Sequence, residues 1–577
     1  MNIVRVNMKD LSTSIEAFPD KYGLLGNRGL IAKIMLDEVR PTAEPLGRHN
    51  KLILCNGPLA GSLVSSASRL SVGGKSPLTG GIKESNSGGT VAFRLARQGI
   101  RAIIVEDKPA AAESLYILNI SSGRAELLPG EEYKGLGTYA TAQRLRKRFG
   151  KNVAIACIGQ AGEYLMQSAG VFCTDKEGCP GRTAGRGGMG AVMGSKGIKA
   201  VVIDANNELK LKPVEPDRFR KAVKEYHKEL LDKPGTGINF PTYGTAGLIP
   251  TISLMGAMPT HNFRQGSFSK ADEISGEALR ELILERGGEG EATHACMPGC
   301  IIRCSNIVAD ETGQVIVSPL EFETLAMVGS NLDIDSLDAI ARINYACNDV
   351  GLDVIETGAV LGMVMEYGLL KFGDVDGVLE LIDQVAKGTV LGRVIGQGAV
   401  VTGKVFGITR VPAVKGQSIA GHEPRGVKGM SVTYATTPMG ADHTTGGMTR
   451  MQIDHQDPNL PMPISRDIQV RIAAIDTLGF CMFLTGGGPR IPDMVIEILS
   501  AMYGKEYPED FITSLGKQTI VDERKFNLMA GITAAEDKMP EFMEEEPLPP
   551  LNGVSDIPRS HYVEFWDESF WETRWDC

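Results

Sequence analysis

Three cysteines spaced four apart constrain this chain more than any other feature: Cys296, Cys300 and Cys304, in His294-Ala295-Cys296-Met297-Pro298-Gly299-Cys300-Ile301-Ile302-Arg303-Cys304. Pro298-Gly299 forces a turn between the first two thiols, so the segment is a wrapping loop and not a regular helix. The N-terminus, MNIVRVNMKDLSTSIEAF, reads as a strand and lacks the basic-then-apolar layout of a signal peptide. Cytoplasmic residence is the expectation, and there a tight group of thiols points to metal and not to disulfides. Three local thiolates plus one remote cysteine suit a four-iron cluster. Zinc is the competitor, although zinc sites usually pair two short hooks and only one is visible. Cys55, Cys157 and Cys347 sit in apolar surroundings and read as buried small hydrophobes. Cys173 and Cys179 form a looser pair, and Cys577 reads as a terminal thiol. Cys481 ends an apolar helical run just before Gly486-Gly487-Gly488; it either faces a site or belongs to the core.

At 577 residues the chain is long enough for two to four domains. Up to about residue 208, short apolar runs (NIVRV, KLILC, AIIVE, LYILNI, VAIACI, AVVID) are bounded by Gly, Pro and Ser, which predicts a β-rich domain over 1–208. Ser121-Ser122-Gly123 is a hairpin signal. Beyond Pro213 the periodicity turns helical over 217–231, 276–285, 336–350, 358–367 and 376–387, with Ser336 and Asp376 as caps. A second helical block follows, over 467–479, 493–503 and 508–528. The expected class is therefore α+β, with helical domains over 209–410 and 411–577. The last of these closes in an acidic tail holding all three tryptophans, EFWDESFWETRWDC. No run of eighteen apolar residues predicts a membrane span, and a net charge of −10 argues against nucleic-acid binding.

Glycine is the compositional anomaly: 69 residues, in short non-repeating clusters. Three clusters in the first domain carry basic or amide side chains. They are Arg69-Leu-Ser-Val-Gly-Gly-Lys75-Ser-Pro-Leu-Thr-Gly80, Glu84-Ser-Asn86-Ser-Gly88-Gly89, and Arg182-Thr-Ala184-Gly185-Arg186-Gly-Gly-Met-Gly190-Ala-Val-Met-Gly-Ser-Lys196. Exposed N–H groups in such loops form nests for phosphate, and Arg or Lys supplies charge. None has the spacing of a P-loop or a dinucleotide fingerprint. Each alone reads as a turn with solvated charges; three in one domain favour a large phosphate-bearing cofactor.

Together with MPTHNFRQG, CNDVGLD, GADH and DTLGFC, these segments and the cysteine triad resemble the tungsten-containing aldehyde ferredoxin oxidoreductase family, from about residue 57 to 484. The resemblance implies a β-rich base on which a bis-pterin tungsten or molybdenum cofactor sits, with Mg2+ bridging its phosphates, covered by two mainly helical domains. It implies pterin contacts at Arg69, Lys75, Asn86, Gly88, Arg182, Ala184, Gly185 and Arg186. Two DxxGL-type segments would grip the pterins, one through Asn348, Leu352 and Asp353, the other through Asp476, Gly479, Phe480 and neighbouring Met482. It makes Cys481 the fourth ligand of a 4Fe-4S cluster. The triad is CxxxCxxxC where many members have CxxCxxxC, and Asn348 stands where the motif has Asp, so local geometry is the point of departure.

The implied chemistry is oxidation of a small aldehyde to a carboxylic acid. His443 and an acid within Glu321-Phe322-Glu323 would handle the proton, with His261 and His422 as further pocket residues and His294 as an alternative ligand. Electrons would pass through the cluster to ferredoxin or to a dedicated iron–sulfur subunit, in a homo- or hetero-oligomer. The Trp-rich tail would either dock such a subunit or strap onto the protein's own surface. The rival functions are reduction of an aromatic thioester or another substrate by a related complex, and a non-catalytic scaffold organised by a cluster or by zinc.

Overall fold

The alternation of short apolar strands and turns in the first part of the chain builds two six-stranded sheets. The structure, a computed structural model, describes residues 1–111, 113–206 and 209–572. The expected boundary at 208, Trp575 and Cys577 lie outside the described residues. The strands are β1 (Asn2–Asn7), β2 (Ser12–Ala17), β3 (Leu52–Asn56), β4 (Leu70–Lys75), β5 (Ile82–Ser87), β6 (Ile100–Glu106), β7 (Tyr116–Ser121), β8 (Arg124–Pro129), β9 (Ala154–Cys157), β10 (Val171–Cys173), β11 (Arg182–Ala184) and β12 (Ile198–Ile203). One sheet runs β2-β1-β6-β3-β4-β5, the other β11-β10-β9-β12-β7-β8. Both are mixed, with β1–β6 and β7–β12 parallel. The hairpin expected at Ser121-Ser122-Gly123 joins β7 to β8, where Ser121 pairs with Arg124.

Side chains alternate across a strand, and that decides what each face touches. Leu52 and Leu54 of β3 face the second sheet, sharing a core with Leu118, Ile120, Ala154 and Val201. Ile53 and Cys55 face the opposite way, into a core with Leu30 and Ile34 of the helix Asn27–Glu38. That same core takes Ile475 and Leu478, and Leu515 and Phe526 of the helix Phe511–Met529. The outer face of the second sheet, through Ile117, Ile155 and Phe172, is covered by Ala142 and Leu145 of the helix Thr138–Phe149. Both sheets are thus buried on two faces, and the first completes its burial only with the far end of the chain. A buried ion network ties the same parts together. Arg28 donates to Glu523 at 2.8 and 2.9 Å and to Asp476 at 3.3 Å.

The rest of the described chain is mainly helical. Ser336 caps its helix through Ala339 N–H as expected. Two details correct the sequence reading. Asp374, not Asp376, caps the helix Val375–Lys387, by accepting from Gly377 N–H at 2.9 Å. The helix expected from Gly358 starts at Val354, because Asp353 accepts from Ile355 N–H and caps it there. A small antiparallel sheet that the periodicity did not announce, β13 (Glu291–His294), β14 (Ser305–Ala309) and β15 (Val315–Val317), lies in the first helical block. In the tail, Trp566 and Trp571 stack at 5.3 Å. Trp571 and Phe565 enter the helical core, so the described part of the tail is a strap on the protein's own surface.

Candidate active site and cluster pocket

The cysteine loop is held by the small sheet. β13 ends at His294 and β14 begins at Ser305, and these two residues pair directly. The intervening loop, with Gly299 at φ +77° and Arg303 at φ +50°, folds its thiols inward. Cys300, Cys304 and Cys481 lie in one buried group with Phe240, Met297 and Ile302, and Cys296 packs against it. Cys481 arrives from the end of the helix Pro461–Thr477, and its N–H donates to Ser66 O at 2.8 Å. Ser66 Oγ lies 3.7 Å from Cys300 Sγ. The hydrogen bond between Cys296 and Cys300 pushes the first thiol up and pulls the second down. Burial raises the thiols of Cys304 and Cys481. Four converging thiols in an apolar wall, with the Arg69 guanidinium in their field, fit a soft polynuclear metal group. His294 is not among them. Its Nδ1 meets Arg182 at 2.9 Å and its Nε2 meets Glu177 at 3.0 Å, so both ring nitrogens are engaged elsewhere.

Beside the thiols, two confluent cavities of about 280 and 290 Å³ open between the sheets and the helices. Of the expected cofactor contacts, Arg69, Asn86, Gly88, Arg182, Gly185, Arg186, Asn348, Leu352, Asp353, Asp476 and Met482 line them. Four do not. Lys75 lies at the far end of β4, and its Nζ donates to Pro41 O. Ala184 points into the core between the sheets, and Phe480 packs edge-on to Tyr226. Gly479, at φ +76°, acts through its backbone: its carbonyl accepts from Arg69 N–H at 3.0 Å.

The wall is built to meet an anionic polar group. Arg69 hydrogen-bonds Asn86 Oδ1, which leaves Asn86 Nδ2 buried without a partner among the described residues, as is Arg182 Nε. At Gly88 a Cβ would come within 3.2 Å of Cys296 O and 3.3 Å of its Sγ, so a larger residue would press on the cysteine loop where glycine lies against it. Arg186 reaches Asp353 at 3.4 Å and the carbonyls of Ala441 and Ser418. Asp442, which the sequence reading passed over within GADH, pairs with buried Lys83. Burial opposes its charge, but Lys83 and Arg186 hold its carboxyl well below the usual range. Burial and the neighbouring Glu84 push Asp476 up to about 8, against the pull of Arg28. Donors left unsatisfied, fixed cations and a bare glycine strip together fit a phosphate-bearing pterin group, with the thiols at one end of it.

Glu321 and Glu323 both reach the cavity because the chain passes from extended at Glu321 into the helix Phe322–Met327. Their surroundings differ. Glu321 accepts from Thr245 Oγ1 at 2.5 Å and Ser305 Oγ at 3.3 Å, and burial raises its pKa. Glu323 accepts from Gly421 N–H at 2.6 Å. Its Oε1 stands 3.2 Å from His443 Nε2 and 3.3 Å from His422 Nε2. These contacts miss hydrogen-bond geometry, leaving Glu323 Oε1 and both histidine Nδ1 atoms buried without hydrogen-bond partners among the described residues. His422 also stacks on Phe322 at 4.6 Å. His261 is elsewhere, beside Asp333 at 3.3 Å and Phe372. Arg450, Thr245 and Leu248 line the cavity without any motif to have flagged them.

Burial holds the pKa of His422 down, to about 4 from an ordinary 6.5. The unfolded chain binds this proton more readily, so the histidine costs nothing above about pH 6.5 and increasingly destabilises the fold as pH falls towards 4. The full effect is about 3 kcal/mol. His422→Phe should therefore flatten the acid limb of a denaturation-midpoint profile between those pH values. Parallel profiles for the two proteins would rule this out.

The sequence matches the family description "Aldehyde ferredoxin oxidoreductase, N-terminal domain" over residues 3–205 and "Aldehyde ferredoxin oxidoreductase, domains 2 & 3" over 221–576. The tungsten-containing aldehyde ferredoxin oxidoreductase of Pyrococcus furiosus is 31% identical, the alignment covering 98% of this chain and 96% of that protein. The WOR-like subunit of an aliphatic sulfonate oxidoreductase from the same organism is 25% identical, over 96% and 90%. Among solved structures, the active-site complex BamBC of benzoyl coenzyme A reductase, in complex with 1,5-dienoyl-CoA, superposes with a TM-score of 0.81. It covers 99% of this chain and 93% of that one at 19% identity, a likeness of fold. No helix of the described residues is long and apolar enough to cross a membrane.

Proposed function

Because the chain belongs to the aldehyde ferredoxin oxidoreductase family, we propose that it oxidises an aldehyde to the carboxylic acid at a tungsten or molybdenum bis-pterin centre. The balance is RCHO + H2O → RCOOH + 2 H+ + 2 e−. When bound, the metal–dithiolene group supplies the two-electron chemistry. Arg69, Asn86, Arg182 and Arg186 would hold its pterins and phosphates, with Mg2+ between the phosphates and Asn348, Asp353 and Asp476 gripping from the helical side. Cys296, Cys300, Cys304 and Cys481 would hold a 4Fe-4S cluster that passes single electrons to ferredoxin or an iron–sulfur partner subunit.

One observation carries the acid–base assignment: a single buried carboxylate oxygen, Glu323 Oε1, faces two histidines inside the cavity that the cluster thiols also line. Glu323 takes the proton released as water adds to the carbonyl carbon, and His443 receives it from Glu323. Gly421 N–H fixes the second Glu323 oxygen, so the first is the one free to exchange a proton. Glu321 is a positioning residue. Its oxygens are taken by Thr245 and Ser305, and Ser305 in turn accepts from Arg182.

Purified under anaerobic conditions, the protein should contain about four iron atoms and about one tungsten or molybdenum per chain, and should reduce a viologen dye with small aldehydes. Absence of both heavy metals would sink the proposal. Dye-coupled turnover of an aromatic thioester or an alkyl sulfonate, with none of aldehydes, would replace the substrate class and keep the centre.

A further inference from the structure

The loop that receives the cluster cysteines also forms one wall of a separate groove. Leu63 in that loop is 76% exposed. It opens into a cavity of about 810 Å³, floored by Leu211, Phe219, Val223 and Met502. The groove's charged lining is Arg97, Lys210, Arg220 and Lys224, with His227 beside them, and no aspartate or glutamate lines it among the described residues. In a chain of net charge −10 such a one-signed rim is a local reversal. Of these cations Arg220 is ion-paired, with Asp217, and Arg97 Nε donates to Gly61 O at 2.6 Å.

Behind the groove, hydrogen bonds tie its wall to the backbone of the segments that carry the thiols. Ser65 N–H donates to His227 Nε2 at 3.2 Å, and Tyr226 OH to Ser65 O at 3.1 Å. Ser65 Oγ accepts from Ile301 N–H, next to Cys300, at 3.0 Å. Ser66 O accepts from Cys481 N–H. From the outside, the groove is thus a few residues from two of the four thiols, and it shares no lining residue with the substrate cavity.

We propose that this groove docks a small acidic electron-carrier protein. The apolar floor supplies contact area, and the Lys210–Lys224 rim steers and orients an acidic partner. This rests on the assignment of a cluster to the four thiols. Each aldehyde oxidised releases two electrons, so two oxidised one-electron carriers would dock in turn and each leave reduced by one. Neither lysine touches the substrate cavity.

The test uses the full holoenzyme with Lys210→Glu and Lys224→Glu combined, a purified acidic ferredoxin as carrier, and benzyl viologen as a small alternative acceptor. The KM for ferredoxin should rise about tenfold and its dependence on salt should flatten. Aldehyde turnover with the dye should stay at the parent rate. Calorimetry of ferredoxin binding should show the same loss without any turnover. Unchanged ferredoxin kinetics overturn the proposal, as does an equal loss with dye and ferredoxin. So does a shift in oligomeric state with ferredoxin kinetics intact, which would make the groove a face between copies of this chain. If the parent fails to oxidise aldehydes with dye but binds ferredoxin in a manner sensitive to both lysines, the reaction assignment falls and the docking surface stands.

Discussion

Cys481→Ser is expected to lower iron from about four atoms per chain to below about one, with loss of the cluster's visible absorption and of ferredoxin-linked activity. The reason lies in how the four thiols are delivered. Cys296, Cys300 and Cys304 come from one loop pinned between β13 and β14, and Cys481 closes the group from a helix almost two hundred residues later. Serine keeps the backbone donation to Ser66 O and the packing against Phe240, but its hydroxyl is a hard, weakly acidic ligand where a thiolate is needed. The loop alone then offers three thiols to a group that needs four. Cys157→Ala is the control. That thiol is buried on the outer face of the second sheet, so iron should stay at the parent value while stability falls modestly. Retention of full iron in Cys481→Ser would remove this residue from the cluster.

Glu323→Gln should lower kcat by about 10²- to 10⁴-fold while iron and heavy-metal content hold. The amide is nearly isosteric. It can still accept from Gly421 N–H and sit between His443 and His422, so the loss isolates the proton and not the shape. Glu321→Gln should cost far less in kcat. Its carboxylate is tied to Thr245 and Ser305 and acts on Arg182 through the latter, so the change should appear mainly as weaker cofactor retention. Equal kcat losses in the two variants would contradict the assignment of Glu323 as the proton acceptor. Solvent isotope effects sharpen the comparison: a proton-transfer defect should raise the effect in Glu323→Gln and leave it unmoved in Glu321→Gln.

The two carboxylates also mark the limit of what the sequence tells. The family resemblance pointed to Glu-Phe-Glu as the acidic segment, but the choice between its members depends on Gly421 and His422, a hundred residues downstream, and on the Thr245 hydroxyl upstream. No periodicity encodes such meetings. The strands and the hairpin of the first domain were legible because period-two alternation is a local consequence of burying a sheet face. The small sheet around the cysteine loop was not. β13 has four mostly polar residues and β15 only three, Val-Ile-Val, below the length at which alternation declares itself. Lys75 was misleading for a different reason: it belongs to a glycine-rich stretch, but it is the last residue of a strand, and its Nζ donates to Pro41 O at that far end. Asp374 took the cap from Asp376 because a cap is defined by which N–H its oxygen meets, and either position satisfies a composition rule.

The way the first sheet is completed has a consequence for how the molecule is made. Its second face is covered first by the helix Asn27–Glu38 and then by side chains from around 475–526, where Arg28 finds Glu523. On the ribosome, the sheet and the cysteine loop emerge well before Cys481 does. At roughly 5–20 residues per second, the intervening stretch of about 180 residues takes roughly 10–35 seconds to synthesise. For that interval the nascent chain carries a sheet face only partly covered by the helix Asn27–Glu38, and three thiols lacking the fourth. On the proposed cluster assignment, a complete four-thiol site would exist only once Cys481 has been made.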